Sequence, residues 1–273
     1  PSYCYPSKSM EQQINEGIEF HKTRYKNTDK FLAYFQAYSN TYAPLDQLIK
    51  IYEQALKNPK IIGLVIGTRP DCMDDEKLDY FEQLSEKIYL VIEYGIESCY
   101  NHTLEYINRG HSFELSKKMI KKTARRGIRI GGHLIFGLPG ESITDMLKEA
   151  ELISKLPLNM VKFHQLQIVK NTVLAREYEN NPEKFQLFSL QDYLEFLVRF
   201  IENLNPEFVI ERFAGEVPLQ FLISPSWGKI RNDQVSKLFE QKLEEYNTWQ
   251  GKNYKTKEKK KKKPKKEKRK KKK

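Results

Sequence analysis

Short apolar runs alternate with amphipathic helical segments along most of this chain, and this alternation restricts the fold more than any other feature. The apolar runs are predicted strands, and they lie at residues 30–36, 61–67, 89–93, 128–136 and 160–169, with a shorter one at 209–210. The segments between them repeat apolar residues at helical spacing, and they lie at residues 44–57, 76–87, 112–126, 142–155 and 189–204. Strands that are apolar almost throughout and separated by single helices pair in parallel through right-handed crossovers. The chain is therefore predicted to be an α/β protein.

The number of strand–helix units distinguishes between the two common parallel architectures. Spacings of about 30 residues between strands suit either a doubly wound sheet or a (β/α) barrel. No Gly-x-Gly-x-x-Gly sequence follows a predicted strand, which disfavours a dinucleotide-binding sheet. Five or six units are too few for a closed eight-stranded barrel. We therefore predict a partial, TIM-like (β/α) barrel over residues 1–212.

The rest of the chain has a different composition. Residues 213–254 contain Pro218, Pro225 and Trp227 before a last predicted helix, and we interpret them as a small C-terminal extension packed on the barrel. Residues 255–273 hold 15 of the 47 Lys and Arg residues and two of the 36 Asp and Glu residues, so the remaining chain is almost neutral. Such a Lys-rich tail repels itself and buries no apolar surface, so it is predicted to be disordered. It could bind nucleic acid nonspecifically through phosphate charge, or be only a solubilising terminus.

Composition also bears on the class and compartment of the protein. Apolar residues make up 39% of the chain, which is enough for a core and too many for a disordered protein. No apolar run approaches the ~18 residues that span a bilayer, so no membrane association is expected. Three cysteines, Cys4, Cys72 and Cys99, show no repeating spacing. A disulfide framework is therefore not expected, and the reducing cytoplasm is the expected compartment.

Polar residues cluster where five of the predicted strands end. These clusters lie at residues 36–42, 68–71, 93–98, 133–141 and 162–165. In parallel α/β folds the active groups lie at the carboxyl ends of the strands. We therefore expect the five clusters to face one mouth and to form a polar pocket there.

Several of these segments carry sequences typical of a known family. They are residues 34–44 (YFQAYSNTYAP), 67–72 (GTRPDC), 108–111 (NRGH), 133–141 (HLIFGLPGE) and 249–252 (WQGK). On these motifs the chain resembles the radical S-adenosylmethionine (SAM) superfamily, and within it a YhcC-like subgroup. The resemblance covers nearly all of residues 6–254. The TRPD and RGH sequences are also similar to the radical SAM domain of Elongator-type tRNA-modifying enzymes.

The resemblance implies a cofactor and a reaction. Family members bind a [4Fe–4S] cluster through three cysteines spaced C-x3-C-x2-C, and SAM binds to the fourth iron. One electron, from a donor such as flavodoxin or ferredoxin, cleaves SAM to methionine and a 5′-deoxyadenosyl radical. This radical abstracts hydrogen from the substrate. The implied function is therefore reductive SAM cleavage acting on a substrate that the sequence does not identify.

The cysteines of this chain depart from the family pattern. The spacing C-x3-C-x2-C is absent from residues 1–273. Cys72 and Cys99 follow later strands and do not match the ligand positions, and Cys4 stands alone. We interpret the chain as lacking the first barrel strand and its cluster loop, with the cluster cysteines expected upstream. No metal ligand is assigned within the chain, and this fragment alone is expected to be inactive.

The resemblance also implies which residues bind SAM. Glu97, Arg109 and His133 stand at matching positions, although the family has an Asp where this chain has His133. Glu97 and His133 are expected to contact the ribose, and Arg109 the methionine carboxylate. The remaining candidates are Gln36, Asn40, Ser98, Gly137 and Gln165. Glu97 and Arg109 could instead form only an ion pair between a turn and a helix.

The sequence is also compatible with two other functions. The chain could be an accessory protein of RNA or tRNA modification whose basic tail holds nucleic acid. It could also be a structural homologue that carries no cluster. A C-x3-C-x2-C segment directly upstream in the reading frame would distinguish the leading hypothesis from this last one.

Overall fold

A six-stranded parallel sheet forms the centre of the protein in a computed structural model, which describes residues 8–25 and 27–255. Its strands are β1 (Phe31–Phe35), β2 (Ile61–Thr68), β3 (Tyr89–Glu97), β4 (Arg129–Phe136), β5 (Met160–Gln165) and β7 (Val209–Arg212). Two further strands, β6 (Ile168–Val169) and β8 (Leu222–Ser224), form a separate antiparallel pair. The sheet follows the chain order β1-β2-β3-β4-β5-β7.

Helices connect these strands. They are α1 (Met10–Arg24), α2 (Leu45–Leu56), α3 (Asp75–Ser85), α4 (Asn101–Tyr106), α5 (Phe113–Arg125), α6 (Ile143–Ile153), α7 (Val173–Asn180), α8 (Leu190–Glu202) and α9 (Asn232–Glu245). The predicted helices are confirmed to within three residues at their ends, whereas α1, α4 and α7 were not predicted. Ser112, Ser142 and Ser189 each cap a helix by accepting a hydrogen bond from a backbone N–H of its first turn.

The chain-order pairing explains why the sheet curls. Each crossover leads to the next neighbouring strand in the same direction, so the connecting helices lie on one face and the other face becomes concave. Within the described residues six strands leave this curved sheet open, which confirms the predicted partial TIM-like barrel. Among the described residues β1 pairs only with β2, and Leu32 and Tyr34 on it are exposed.

The hydrophobic core lies between the outer face of the sheet and the helices. On β4, for example, Ile130, Leu134 and Phe136 are buried against helices, because alternate side chains of a strand point to opposite faces. Phe136 packs on Phe196 and Phe200 of α8, with 4.8 Å between ring centroids in both pairs. Full burial of such a side chain stabilises the fold by about 1.5–3 kcal/mol.

The chain after β5 differs from the prediction of one long strand at 160–169. The backbone N–H of Leu166 donates to the carbonyl of Phe136, and the chain then leaves the sheet to pair β6 with β8. Helix α9 packs on α8, and its Val235 and Phe239 join the main core. Cys4 and the predicted tail beyond Lys255 lie outside the described residues. No helix in the described ranges has the length and apolar character to cross a membrane.

Candidate functional site

A cavity of about 360 Å³ lies at the carboxyl ends of the parallel strands. Five of the predicted SAM-binding residues line this mouth cavity, namely Gln36, Glu97, Arg109, His133 and Gln165. Other polar residues of its wall are Tyr34, Tyr38, Thr68, Glu93, His164 and Gln167. The polar pocket expected at the strand ends is therefore present in the structure.

An ion pair between Glu97 and Arg109 forms one side of the mouth cavity. A bulge at the end of β3 gives Glu97 a φ of 64°, which is uncommon for a residue with a side chain. Its Oε1 lies 2.9 Å from Nη2 of Arg109, and the same Nη2 donates to the carbonyl oxygen of Gly95 at 3.2 Å. The buried Nε of Arg109 has no hydrogen-bond partner among the described residues. The guanidinium is thus fixed in place and retains an unused donor.

Gly95 leaves the space that this ion pair needs. A Cβ atom on Gly95 would lie 2.2 Å from Nη2 of Arg109 and 2.3 Å from Oε1 of Glu97. Both distances are far below ordinary van der Waals contact, so only glycine fits here while the pair keeps its position. A glycine of strand β3 that was not among the predicted site residues therefore shapes the site.

A second charged cluster lies on the inner wall of the half-barrel, around Glu93. The Glu93 carboxylate is 1% exposed and lies 2.9 Å from Nε2 of His133 and 2.6 Å from Nζ of Lys162. It also accepts a hydrogen bond from the Tyr34 hydroxyl at 2.8 Å, and Lys162 forms a further ion pair with Glu211 at 2.9 Å. Burial alone would raise the pKa of Glu93, but His133 and Lys162 outweigh it and lower this pKa to about 2. Glu93 is therefore ionised, and Nε2 of His133 donates to it.

His164 lies beside this charged cluster but is itself uncharged. Burial, followed by the nearby positive charges, lowers the pKa of His164 to about 3, so its imidazole is neutral at physiological pH. Its ring lies 5.8 Å from that of His133, measured between centroids. A neutral imidazole offers one hydrogen-bond donor and one acceptor, and the His164 side chain lines the mouth cavity.

The other three predicted residues lie outside the cavity wall. The Asn40 side chain donates to the carbonyls of Phe35 and Gly67, which ties the ends of β1 and β2 together. The Ser98 hydroxyl is buried and donates to the Glu141 carboxyl. Gly137 has a φ of 91° and forms the turn after β4. In this structure the contacts of these residues hold the strand ends that frame the cavity.

Glu93 and Lys162 fall in the polar clusters that the sequence predicts at the mouth, but they were not among the SAM-binding candidates. Both belong to strands that are otherwise mostly apolar, and both point to the concave face. A charged residue inside an apolar strand is a usable signal, because it is almost never fully buried unless it is paired. The sequence alone does not show which partner it meets.

The cysteines among the described residues do not form a metal site. Cys72 and Cys99 are free thiols, and no group of three or more His, Cys, Asp or Glu residues in the described part could hold a metal ion. Burial, followed by the charge of Glu149, raises the pKa of the Cys99 thiol, which keeps it protonated. The buried Cys99 thiol is therefore a weak nucleophile, and neither cysteine belongs to a metal-binding group within the described part of the chain.

Two models of known protein families match this chain. Residues 3–153 match the family model of the radical SAM superfamily, and residues 158–245 match that of the Radical_SAM C-terminal domain. The chain belongs to the radical SAM superfamily. Binding of an iron–sulfur cluster and of SAM is characteristic of this superfamily.

Curated radical SAM relatives confirm the predicted resemblances. The uncharacterized protein MJ0486 of Methanocaldococcus jannaschii is 37% identical over 227 residues, which cover 82% of this chain and 69% of that protein. YhcC of Escherichia coli is 32% identical over 217 residues, covering 79% and 70%. The tRNA uridine(34) acetyltransferase of Methanocaldococcus infernus is 25% identical over 202 residues, covering 72% of this chain and 36% of that enzyme.

A solved structure shares the fold. The archaeal Elp3 of M. infernus superposes with a TM-score of 0.74 at 20% sequence identity, and the match covers 88% of this chain and 60% of that one. At this identity the likeness concerns the fold alone. It agrees with the half-barrel described above.

Proposed function

We propose that this chain forms the SAM-binding barrel of a radical SAM enzyme and that SAM occupies the mouth cavity. The observation that carries the proposal is the Arg109 guanidinium, which lines the cavity, is held by Glu97 and has a buried Nε without a partner in the described chain. A planar guanidinium matches a carboxylate with two parallel hydrogen bonds. When bound, SAM supplies the radical with which members of this family abstract hydrogen.

The residues of the cavity suit the different groups of SAM. Arg109 would bind the methionine carboxylate, and Glu97 would accept hydrogen bonds from the ribose hydroxyls. His133 donates its Nε2 proton to Glu93, so its Nδ1 would be the atom that hydrogen-bonds a ribose hydroxyl. Gln36 and Gln165 would add neutral amide groups to the same wall. The volume of about 360 Å³ falls in the range of small-molecule sites.

The described residues suit SAM, but they do not provide a set of ligands for an iron–sulfur cluster. Cys72 is half-buried in a turn after β2, Cys99 is buried behind β3, and neither belongs to a group able to hold a metal. The described residues therefore offer contacts for SAM but no set of cluster ligands. The proposal concerns the SAM-binding contacts of this chain, and it can be tested without a cluster.

The test is equilibrium binding of SAM to the chain and to two variants that remove the same charge. Arg109→Ala should weaken SAM binding by about 10- to 100-fold, because a hydrogen bond to a charged group contributes about 1.5–3 kcal/mol. Arg129→Ala is the matched control, since Arg129 begins β4 at the other end of the sheet and lies over the Tyr89 ring. Isothermal titration calorimetry measures both. Equal affinity of the two variants, or no saturable binding by the unaltered chain, would contradict the proposal.

A second candidate function is tRNA modification. It is favoured by the identity shared with a tRNA uridine(34) acetyltransferase over 202 residues. The test is a gel-shift titration of tRNA with the full chain and with a chain that ends at residue 254. Binding that persists without residues 255–273 supports this candidate, because those residues carry most of the excess positive charge. Binding that disappears with them assigns the affinity to the tail and counts against it.

A further inference from the structure

A second cavity, of about 380 Å³, adjoins the mouth cavity beneath the C-terminal segment. Its wall comes mostly from residues 214–219 and 225–235, and we call it the C-terminal cavity. Gln165 and Gln167 line both cavities. The two spaces are therefore neighbours, separated by side chains at the end of β5 and directly after it.

Hydrogen bonds fix the wall between the two cavities. The Gln165 side chain accepts from the Gly215 N–H at 2.8 Å and donates to the Gly215 carbonyl at 3.2 Å. A Cβ atom on Gly215 would lie 2.9 Å from Nδ1 of His164. The backbone at Gly215 thus approaches the end of β5 more closely than a larger residue would allow. This close packing holds the C-terminal cavity beside the mouth.

The charges in the C-terminal cavity are unbalanced. Lys229 and Arg231 line it, both are exposed, and neither forms an ion pair with another described residue. Glu216 is the acidic residue of this wall, and its Oε1 already accepts from the backbone N–H of Asn232 at 2.6 Å. The wall therefore carries two positive charges and one negative charge, and the negative one is occupied by a backbone donor. Trp227 adds an aromatic surface beside them.

We propose that the C-terminal cavity binds the anionic end of the substrate, a carboxylate or a phosphate group. Lys229 and Arg231 would neutralise this group, since both side chains donate charge-assisted hydrogen bonds to such oxygens. The rest of the substrate would extend past Gln165 to the mouth cavity. The inference rests on the proposed SAM site, because that site locates the reacting end. It deepens the proposal by naming the chemical class of the substrate.

The test uses the fluorescence of Trp227, which lines the C-terminal cavity. The chain has two tryptophans, so Trp249→Phe leaves Trp227 as the only one. This variant is titrated, without SAM and at constant ionic strength, with inorganic phosphate and separately with acetate. A saturable change with either anion supports the proposal, and the tighter-binding anion identifies the group. No saturable change with either would overturn it.

A pair of double variants in the same background makes the test specific. Lys229→Gln with Arg231→Gln should weaken anion binding at least tenfold. Arg199→Gln with Lys237→Gln removes the same charge from exposed positions on α8 and α9 that do not line the cavity, and it should leave the affinity unchanged. Equal weakening in both double variants would contradict a site at the C-terminal cavity. Calorimetry with SAM on the same proteins separates this outcome from failure of the proposed SAM site.

Discussion

Gly95→Ala should damage the mouth cavity while leaving the fold nearly intact. The new Cβ would lie 2.2 Å from Nη2 of Arg109 and 2.3 Å from Oε1 of Glu97, so each atom must move by about 1 Å or more to reach ordinary contact. Both atoms end flexible side chains, which can rotate away. The cost in unfolding free energy should therefore stay near the low end of the ~1–3 kcal/mol typical of overpacking. The 2.9 Å ion pair, however, should be lost.

Gly63→Ala is the matched comparison, because it adds the same methyl group to the neighbouring strand β2. Its Cβ would lie 2.1 Å from the backbone oxygen of Tyr89, so β2 and β3 would have to separate. We expect a loss of ~3 kcal/mol or more for this variant. Gly17→Ala has open space in α1 and should gain about 0.5–1 kcal/mol.

Urea unfolding and SAM calorimetry on the same three proteins check these expectations. Gly63→Ala should be the least stable variant, and Gly95→Ala should lose the most SAM affinity among variants that remain folded. Unaltered SAM affinity in Gly95→Ala would refute the role given to the Glu97–Arg109 pair. If Gly95→Ala lost as much unfolding free energy as Gly63→Ala, the reasoning would be refuted, because it assumes that side-chain ends can move away from a new methyl group while backbone atoms cannot.

Three further predictions concern ionisation and the tail. The low pKa of Glu93 in the folded chain means that its stabilisation is lost as pH falls from 4.5 towards about 2, and Glu93→Gln should flatten this part of the urea-stability profile. Glu149 is fully buried and accepts from the Cys99 N–H at 2.6 Å, and burial followed by the Glu141 charge raises its pKa, so stability should decline as pH rises above 4.5. Glu149→Gln should remove that decline, and a parallel decline in both proteins would contradict it. Deletion of residues 255–273 should leave the unfolding free energy unchanged while lowering retention on a heparin column, and unchanged retention would assign the affinity to the rest of the chain.

The sequence by itself predicted the architecture, because the signals for it are local. Apolar runs such as 61–67 and helical stripes such as 112–126 lie within single elements, and the spacing between them indicates a parallel sheet. The helix α1 was not predicted, since its apolar stripe is narrow: Met10, Ile14 and Ile18 pack on the core, and of these Ile18 alone is buried. The division of residues 160–169 into β5 and β6 also escaped prediction, because it depends on the distant partner β8.

The motifs likewise predicted part of the site, and tertiary structure decided the rest. Gln36 and Asn40 lie four residues apart in one motif, yet only Gln36 lines the cavity, since the Asn40 side chain is used by two backbone carbonyls. Glu93 and Lys162 are 69 residues apart in sequence. Glu93 lies opposite Gly131 on β4, where the missing side chain leaves it room. Two residues further along β4, His133 lies opposite Lys162 on β5, so the Glu93 and Lys162 side chains meet across β4. Sequence determines which side chains are available, but strand register and curvature determine which of them face one another across the concave side of the sheet.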